Sequence, residues 1–282
     1  MLADVAVVLS TISVDEWLHE AIKSVLSERS VRIELIIVLD GLPAEQASGV
    51  ARTWSLDDRV TCVPLQQRGG LAAALREGIA SSSAPLIARL DADDVSLPGR
   101  FDRQKRYLDA NPTAVVVGSG AYLIDETGRE VGFNAPEFGP DVRRRLVRRN
   151  QIMHPSVMFR RSTYEMTSGY NARLTRMQDY DLWLRMALHG PIAVLDERLI
   201  RYRVHPSQAS RSAKPTGDHV SAIVRGQREL ASMLGTPTAI ALVESNVWRA
   251  AQHLRYWGVV RPGYDRMLYA RRHSITSEGF VS

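Results

Sequence analysis

Between residues 5 and 90 the chain alternates short, continuous apolar runs with amphipathic stretches. That alternation restricts the fold more than any other feature. The runs Val5-Ala6-Val7-Val8-Leu9 and Glu34-Leu35-Ile36-Ile37-Val38-Leu39, with residues 60–65 and 86–90, have strand length and end at polar or glycine turns. Residues 16–26, 44–55 and 71–81 lie between them. In the first of these, Trp17, Leu18, Ala21, Ile22, Val25 and Leu26 recur at three- and four-residue steps, the period of a helix packed on one face. Continuous apolar strands separated by helices make a parallel sheet covered on both faces. Ligands of such sheets bind beyond the carboxyl ends of the strands. Thr11, Asp40, Arg68 and Asp91 are therefore expected along one edge.

After Pro98 the pattern changes. A polar helix over residues 99–111 leads to expected strands at 114–118 and 122–125, and Asp125-Glu126-Thr127-Gly128 has the composition of a hairpin turn. A short basic helix over 141–149 follows, then further elements around 154–159, 179–189, 192–195 and 200–204. Residues 206–217 are rich in Ser, Pro, Lys and Gly and read as a linker, and the chain is helical from Asp218 onward. Those last helices, with Trp248, Tyr256, Trp257 and Arg271-Arg272, could bind lipid, form a homodimer or pack on the core.

Composition excludes several classes. Of 282 residues 45% are hydrophobic and 24% charged, which suits a folded core rather than disorder. The net charge of +5 suits an anionic partner, but no basic stripe interleaved with aromatics marks a nucleic-acid reader. Cys62 is the single cysteine, so neither an internal disulfide nor a cysteine-based zinc site can form, and it reads as a buried strand residue. No apolar stretch reaches the length of a membrane-spanning helix, and the N-terminal run is too short for a signal peptide. The expectation is a cytoplasmic protein, with peripheral attachment to the inner face of the plasma membrane left open.

Three places can carry chemistry. Leu90-Asp91-Ala92-Asp93-Asp94 ends a strand, and carboxylates two apart in an extended stretch point the same way. Such a pair can ligate Mg²⁺ or Mn²⁺, which take oxygen donors and keep positions open for phosphate. Acidic residues also commonly end strands and cap the next helix. Asp179 opens a helical segment with Leu182, Trp183 and Met186 on its packed side. It is either an N-cap or a general base at the mouth of the sheet, and Asp181 could hold the same loop. His205 follows a strand-like run and is either a surface residue or a nitrogen ligand to the same metal. His154 is a second such case, either a ligand or a packed imidazole in a turn. Arg143-Arg144-Arg145 with Arg148-Arg149 is either a solvated helix face or a contact for an anionic lipid or acceptor phosphate.

Taken in order, these segments resemble the family 2 glycosyltransferases, from Val5 to His205. The matching pieces include Val5-Ala6-Val7-Val8-Leu9-Ser10-Thr11, Glu34-Leu35-Ile36-Ile37-Val38-Leu39-Asp40-Gly41, Gly69-Gly70-Leu71-Ala72-Ala73-Ala74-Leu75 and Leu90-Asp91-Ala92-Asp93-Asp94. They continue with His154-Pro155-Ser156-Val157, Gly169-Tyr170-Asn171, Gln178-Asp179-Tyr180-Asp181-Leu182-Trp183 and Tyr202-Arg203-Val204-His205-Pro206. The resemblance implies a GT-A fold: an α/β, Rossmann-like, mostly parallel central sheet flanked by helices, with a helical C-terminal extension. It divides the chain into a glycosyltransferase domain at 1–212 and an extension at 213–282. Within the domain, 1–118 would bind nucleotide and 119–212 would supply the acceptor side and the base.

The resemblance further implies that Ser10 and Thr11 line a nucleoside pocket, that Asp40 hydrogen-bonds the base, and that Arg68 contacts the nucleotide. Asp91 would contact the ribose or the metal, Asp93 would ligate Mn²⁺ or Mg²⁺, His205 would complete the coordination, and Asp179 would be the catalytic base. The implied activity is inverting, non-processive transfer of a hexosyl or N-acetylhexosaminyl group from a nucleotide-sugar, UDP-linked, to a glycan or lipid-linked acceptor in surface polysaccharide synthesis. The chain departs from the family at Leu39, where a first acidic residue is usual, at Ile12-Ser13 in place of Tyr-Asn, and at Gln178 in place of Glu. A non-catalytic sugar-nucleotide-binding subunit and a sugar nucleotidyltransferase are the rival readings. Ser10-Thr11-Ile12-Ser13 offers neither the phosphate loop a nucleotidyltransferase needs nor the G-x-G-x-x-G turn of a dehydrogenase.

Overall fold

The structure is a computed structural model, and it describes residues 3–134, 136–206, 208 and 217–256. The first half follows the expected alternation: β1 (Val5–Thr11), α1 (Glu16–Leu26), β2 (Ile33–Asp40), α2 (Ala44–Trp54), β3 (Val60–Leu65), α3 (Leu71–Ala80) and β4 (Leu86–Arg89). β1 pairs in parallel with β2 and β4, and β2 pairs in parallel with β3. Their carboxyl ends therefore share one edge of the sheet.

Strand periodicity divides the core in two. Val5, Val7 and Leu9 of β1 join Leu35, Ile37 and Leu39 of β2 against Leu18, Ala21, Ile22 and Val25 of α1. Val8, Ile36 and Val38 face the other way, onto Ala74, Leu75 and Ile79 of α3. A Cβ on Gly78 would come within 2.7 Å of the Val8 and Val38 side chains, so glycine lets α3 sit close on the sheet. Asp15 Oδ1 accepts from the Leu18 amide at 2.9 Å and starts α1, a cap that contributes about 1 kcal/mol. Two apolar expectations are corrected here. Trp17 is half-buried and turned toward the second half of the chain, and Cys62 is half-buried because β3 is the edge strand.

The second half comprises β5 (Val95–Ser96), α4 (Arg100–Ala110), β6 (Val116–Ile124), β7 (Glu130–Asn134), α5 (Arg143–Leu146), a single turn at His154–Ser156, β8 (Met158–Arg160), α6 (Arg161–Met166), α7 (Gln178–Met186), β9 (Ile192–Arg203), α8 (Gly217–Met233) and α9 (Thr238–Tyr256). β8 lies antiparallel between β4 and β6, β9 runs parallel to β6, and β5 adds antiparallel to β9. The sheet is thus parallel where nucleotide-binding topology was expected and mixed beyond it. Each of the two strand pairs expected in this half is one strand. β6 runs through Gly118-Ser119-Gly120, and β9 through Asp196-Glu197, because register shifts beside Gly120 absorb the break in apolar pattern without ending the ladder. The expected hairpin turn forms, with Gly128 N donating to Asp125 O at 3.0 Å.

α8 and α9 cover α7: Ile223, Val224, Leu230 and Trp248 share one cluster with Trp183 and Leu184. Gln227 Nε2 donates to Tyr180 Oη at 2.9 Å, and the Trp248 ring lies 5.9 Å from that of Tyr180. Trp248 therefore packs on the core, while Trp257, Arg271, Arg272 and most of the linker lie outside the described residues. The basic segment around α5 is largely paired: Arg143 with Asp141, Arg145 with Glu137, and Arg148 with Glu244 of α9. Among the described residues no helix is long and apolar enough to cross a membrane.

Candidate functional site

β4 stops at Arg89, and Asp91–Asp94 form a turn in which Asp94 N donates to Asp91 O at 3.2 Å. The acidic residues converge through this turn, not through the extended alternation expected from sequence. Asp91, Asp93 and Asp94 each offer an oxygen within 4.8 Å of the others. Asp94 had no place in the sequence-based set. Its Oδ1 accepts from Arg203 N at 2.8 Å, while its Oδ2 is buried without a hydrogen-bond partner. Burial first, then the neighbouring Asp91 charge, raises the Asp93 carboxyl above its ordinary range. Burial, then Asp93 and Asp91, pushes Asp94 up well above it. Three crowded oxygen donors, one of them orphaned, fit a hard divalent cation such as Mg²⁺ or Mn²⁺.

His205 reaches this turn from the far end of β9. Val95 of β5 registers with Arg201, Ser96 registers with Ile200, and Leu97 N donates to Leu199 O at 3.0 Å. The chain leaving β9 is thereby laid across the acidic turn. His205 Nε2 sits 2.8 Å from Asp93 Oδ2, and its ring lies 5.0 Å from that of Trp17.

The nucleotide-side candidates share the neighbouring strand ends. Asp40 is 2% exposed, and its two oxygens accept from Gly69 N at 2.7 Å and Gly70 N at 3.0 Å. Gly41, at φ 69°, lies so close that a Cβ there would meet Arg68 N at 2.7 Å. Asp40 thus anchors the turn that presents Arg68, whose side chain is exposed. Thr11 is buried and donates to Ser13 O at 2.6 Å, shaping the loop after β1, and Ser10 is half-buried beside it.

Asp179 is the second residue of α7 and not its cap. The cap position is Met177, at φ 56°, with no side-chain bond. Asn150 Nδ2 donates to Asp179 Oδ2 at 2.8 Å. Burial raises the Asp179 carboxyl above its usual range, opposed by the Tyr180 amide, Asn150 and the Arg89 charge. Asp181 is structural: it pairs with Arg185 at 2.6 Å, and Arg185 Nη1 donates to Thr167 O at 2.5 Å. His154 Nε2 lies 2.7 Å from Tyr170 Oη, and burial, then Arg89, drives its pKa well below the ordinary value, so the ring is neutral.

Arg89 joins the two carboxylate groups. Only 2% exposed, it pairs with Asp91, and its charge favours the ionised forms of both Asp94 and Asp179. Its Nε and Nη1 are buried without hydrogen-bond partners. The sequence signal for Arg89 was a cation inside an otherwise apolar, two-sided buried strand, which demands a partner. Asn150 and Arg203 carried no such signal.

The family model described as Glycosyl transferase family 2 matches residues 6–167. The amylovoran biosynthesis glycosyltransferase AmsE of Erwinia amylovora is 32% identical over 67% of this chain and 71% of its own length. The O-antigen biosynthesis glycosyltransferase WbnJ of Escherichia coli is 31% identical over 74% of this chain and 83% of its own. Among solved structures, S. aureus TarS 1-349 in complex with UDP-GlcNAc superposes with a TM-score of 0.69 at 15% identity, covering 90% of this chain and 73% of that one. That likeness is one of fold. The sheet edge, its acidic turn and the sequence relationships agree: the chain is a glycosyltransferase of the GT-A fold and belongs to glycosyl transferase family 2.

Proposed function

We propose that the protein transfers one sugar from a UDP-linked donor to a hydroxyl of a glycan or lipid-linked acceptor, with inversion at the anomeric carbon, in the building of a surface polysaccharide. Support for the pathway comes from AmsE and WbnJ, named for amylovoran and O-antigen biosynthesis, and support for the donor from TarS, crystallised with UDP-GlcNAc. The observation that carries the reading is the meeting of His205 with Asp93 at the edge where Asp40 and Arg68 stand.

In this reading Ser10, Thr11 and the Asp40-anchored turn cradle the nucleoside, and Arg68 faces the diphosphate. Asp91, Asp93, Asp94 and His205 would hold Mn²⁺ or Mg²⁺, which when bound supplies positive charge to the departing diphosphate. Asp179 accepts the proton of the acceptor hydroxyl as the new bond forms. A carboxylate is a weak base for an alcohol, so the proton moves late, once the hydroxyl has become acidic. Burial strengthens Asp179 as a base, and Asn150 and Arg89 favour its ionised form against that burial. A nucleotide-binding subunit without catalysis would have no use for a buried carboxylate aimed by Asn150 in this way.

A thermal-shift screen of nucleoside diphosphates and their sugars, with and without Mn²⁺, tests the binding half. Stabilisation by UDP that depends on metal is expected, since ligand binding to the native state raises apparent stability by mass action. Indifference to every nucleotide would overturn the reading. UDP release from UDP-sugars on adding glycan acceptors tests the catalytic half, and binding without turnover would favour the non-catalytic sugar-nucleotide-binding subunit.

A further inference from the structure

Arg203 makes more directed contacts than any role in the strand ladder requires. Its side chain is 2% exposed, and it reaches three separate segments. Nε donates to the Asp93 carbonyl at 2.9 Å, and Nη1 to the carbonyls of Asp125 at 3.1 Å and Glu126 at 3.4 Å in the β6–β7 turn. Nη2 donates to Glu20 Oε2 of α1 at 2.5 Å, and the guanidinium lies 5.2 Å from the centre of the Trp17 ring. Its backbone is engaged as well: the amide donates to Asp94 Oδ1 at 2.8 Å, and the carbonyl accepts from Gln208 Nε2 at 2.5 Å. A planar fork suits such divergent donation, where a lysine ammonium would not.

The Trp17 ring that meets the Arg203 guanidinium also carries the His205 imidazole, 5.0 Å away. One aromatic surface on α1 therefore sets the height of both residues over the acidic turn. Trp17 itself has no atom able to ligate a hard cation, because its indole nitrogen only donates. Glu20 and Trp17 lie one turn apart on the helix that follows the 12–15 loop, so the loop beside the nucleoside pocket is mechanically continuous with the segment carrying His205.

We propose that Arg203 and Trp17 are positioning residues that hold His205 against Asp93, making α1 and the acidic turn a single body for cation binding. The proposal rests on the divalent-cation reading of the site. Ligand-orienting neighbours of this kind change metal affinity without touching the metal.

The test is Mn²⁺ titrated by isothermal calorimetry into the full chain with saturating UDP, for wild type, R203M, W17L and W17F, with thermal denaturation of each metal-free protein alongside. Weakening of Mn²⁺ affinity by about tenfold or more is expected for R203M and W17L, with W17F close to wild type because a phenyl face still supports both cations and rings. A purely structural role would lower the fraction of active protein, and with it the stoichiometry, at unchanged affinity. Should R203M fail to fold, the contrast between W17L and W17F decides. Wild-type affinity in W17L, or equal loss in W17L and W17F, overturns the positioning proposal alone. Absence of Mn²⁺ binding to wild type overturns the cation reading itself.

Discussion

Asn150 Nδ2 donates to Asp179 Oδ2 at 2.8 Å, so the carboxylate read as the base is aimed by a residue from the loop that follows α5. The bond favours the ionised form and opposes the burial that raises the carboxyl. D179N should lower kcat by about 10²–10⁴-fold, the usual contribution of a general base, while leaving the UDP-dependent thermal shift in place. Full turnover by D179N would remove Asp179 from the role. N150A should cost roughly tenfold in kcat, the worth of one hydrogen bond to a charged group, and an unchanged rate would show that Asn150 does not aim the base.

The same pair gives a pH dependence. Because the base works ionised, the rate should rise with pH through the raised pKa of Asp179. Removing the Arg89 charge disfavours the carboxylate, so R89M should move this acid limb to higher pH, while R89K should leave it nearer wild type. Coincident limbs in wild type and R89M would refute the coupling. Stability has the opposite sign: a carboxyl whose folded pKa is raised contributes fully below its unfolded pKa, and the contribution is lost as pH rises from there through the folded pKa. D179N should therefore unfold at a higher temperature than wild type at neutral pH.

Oδ2 of Asp94 is buried without a hydrogen-bond partner. D94N keeps an acceptor for the Arg203 amide but removes the charge, and about a 10–100-fold loss of Mn²⁺ affinity in the presence of UDP is expected, by analogy with other changes to ligand sets. Calorimetric affinity equal to wild type would exclude Asp94 from the donor set.

His154 is buried neutral against Tyr170 and Trp183. Its folded pKa lies below the unfolded value, so its contribution is complete above the unfolded pKa, about 6.5. That contribution drains away as pH falls from there toward the folded pKa, while the unfolded chain takes up a proton that the native state refuses. Urea denaturation of wild type should show stability declining below that pH, with a flatter profile for H154Q. Parallel profiles would place the titration elsewhere.

The parallel half of the sheet was legible in the amino-acid sequence, because continuous apolar runs separated by amphipathic helices have few other ways to bury both faces. The sequence also marked Asp93, Asp179 and His205 as candidates, since each lies near the end or start of a recognisable element, while their roles came from the ordered family resemblance. It could not determine how Asp91, Asp93 and Asp94 converge. An alternation rule makes adjacent strand residues diverge, and only the hydrogen-bonded turn after Arg89 brings Asp94 in with the others. Nor could it show that Trp17, whose helical spacing reads as core, turns outward to carry His205 and Arg203. Those contacts depend on β5 pairing with the end of β9, a two-residue strand too short to leave a periodic trace. Local pattern records which face of an element is apolar. Which distant segment meets its polar end is decided by strand order and register, and only the tertiary structure contains those.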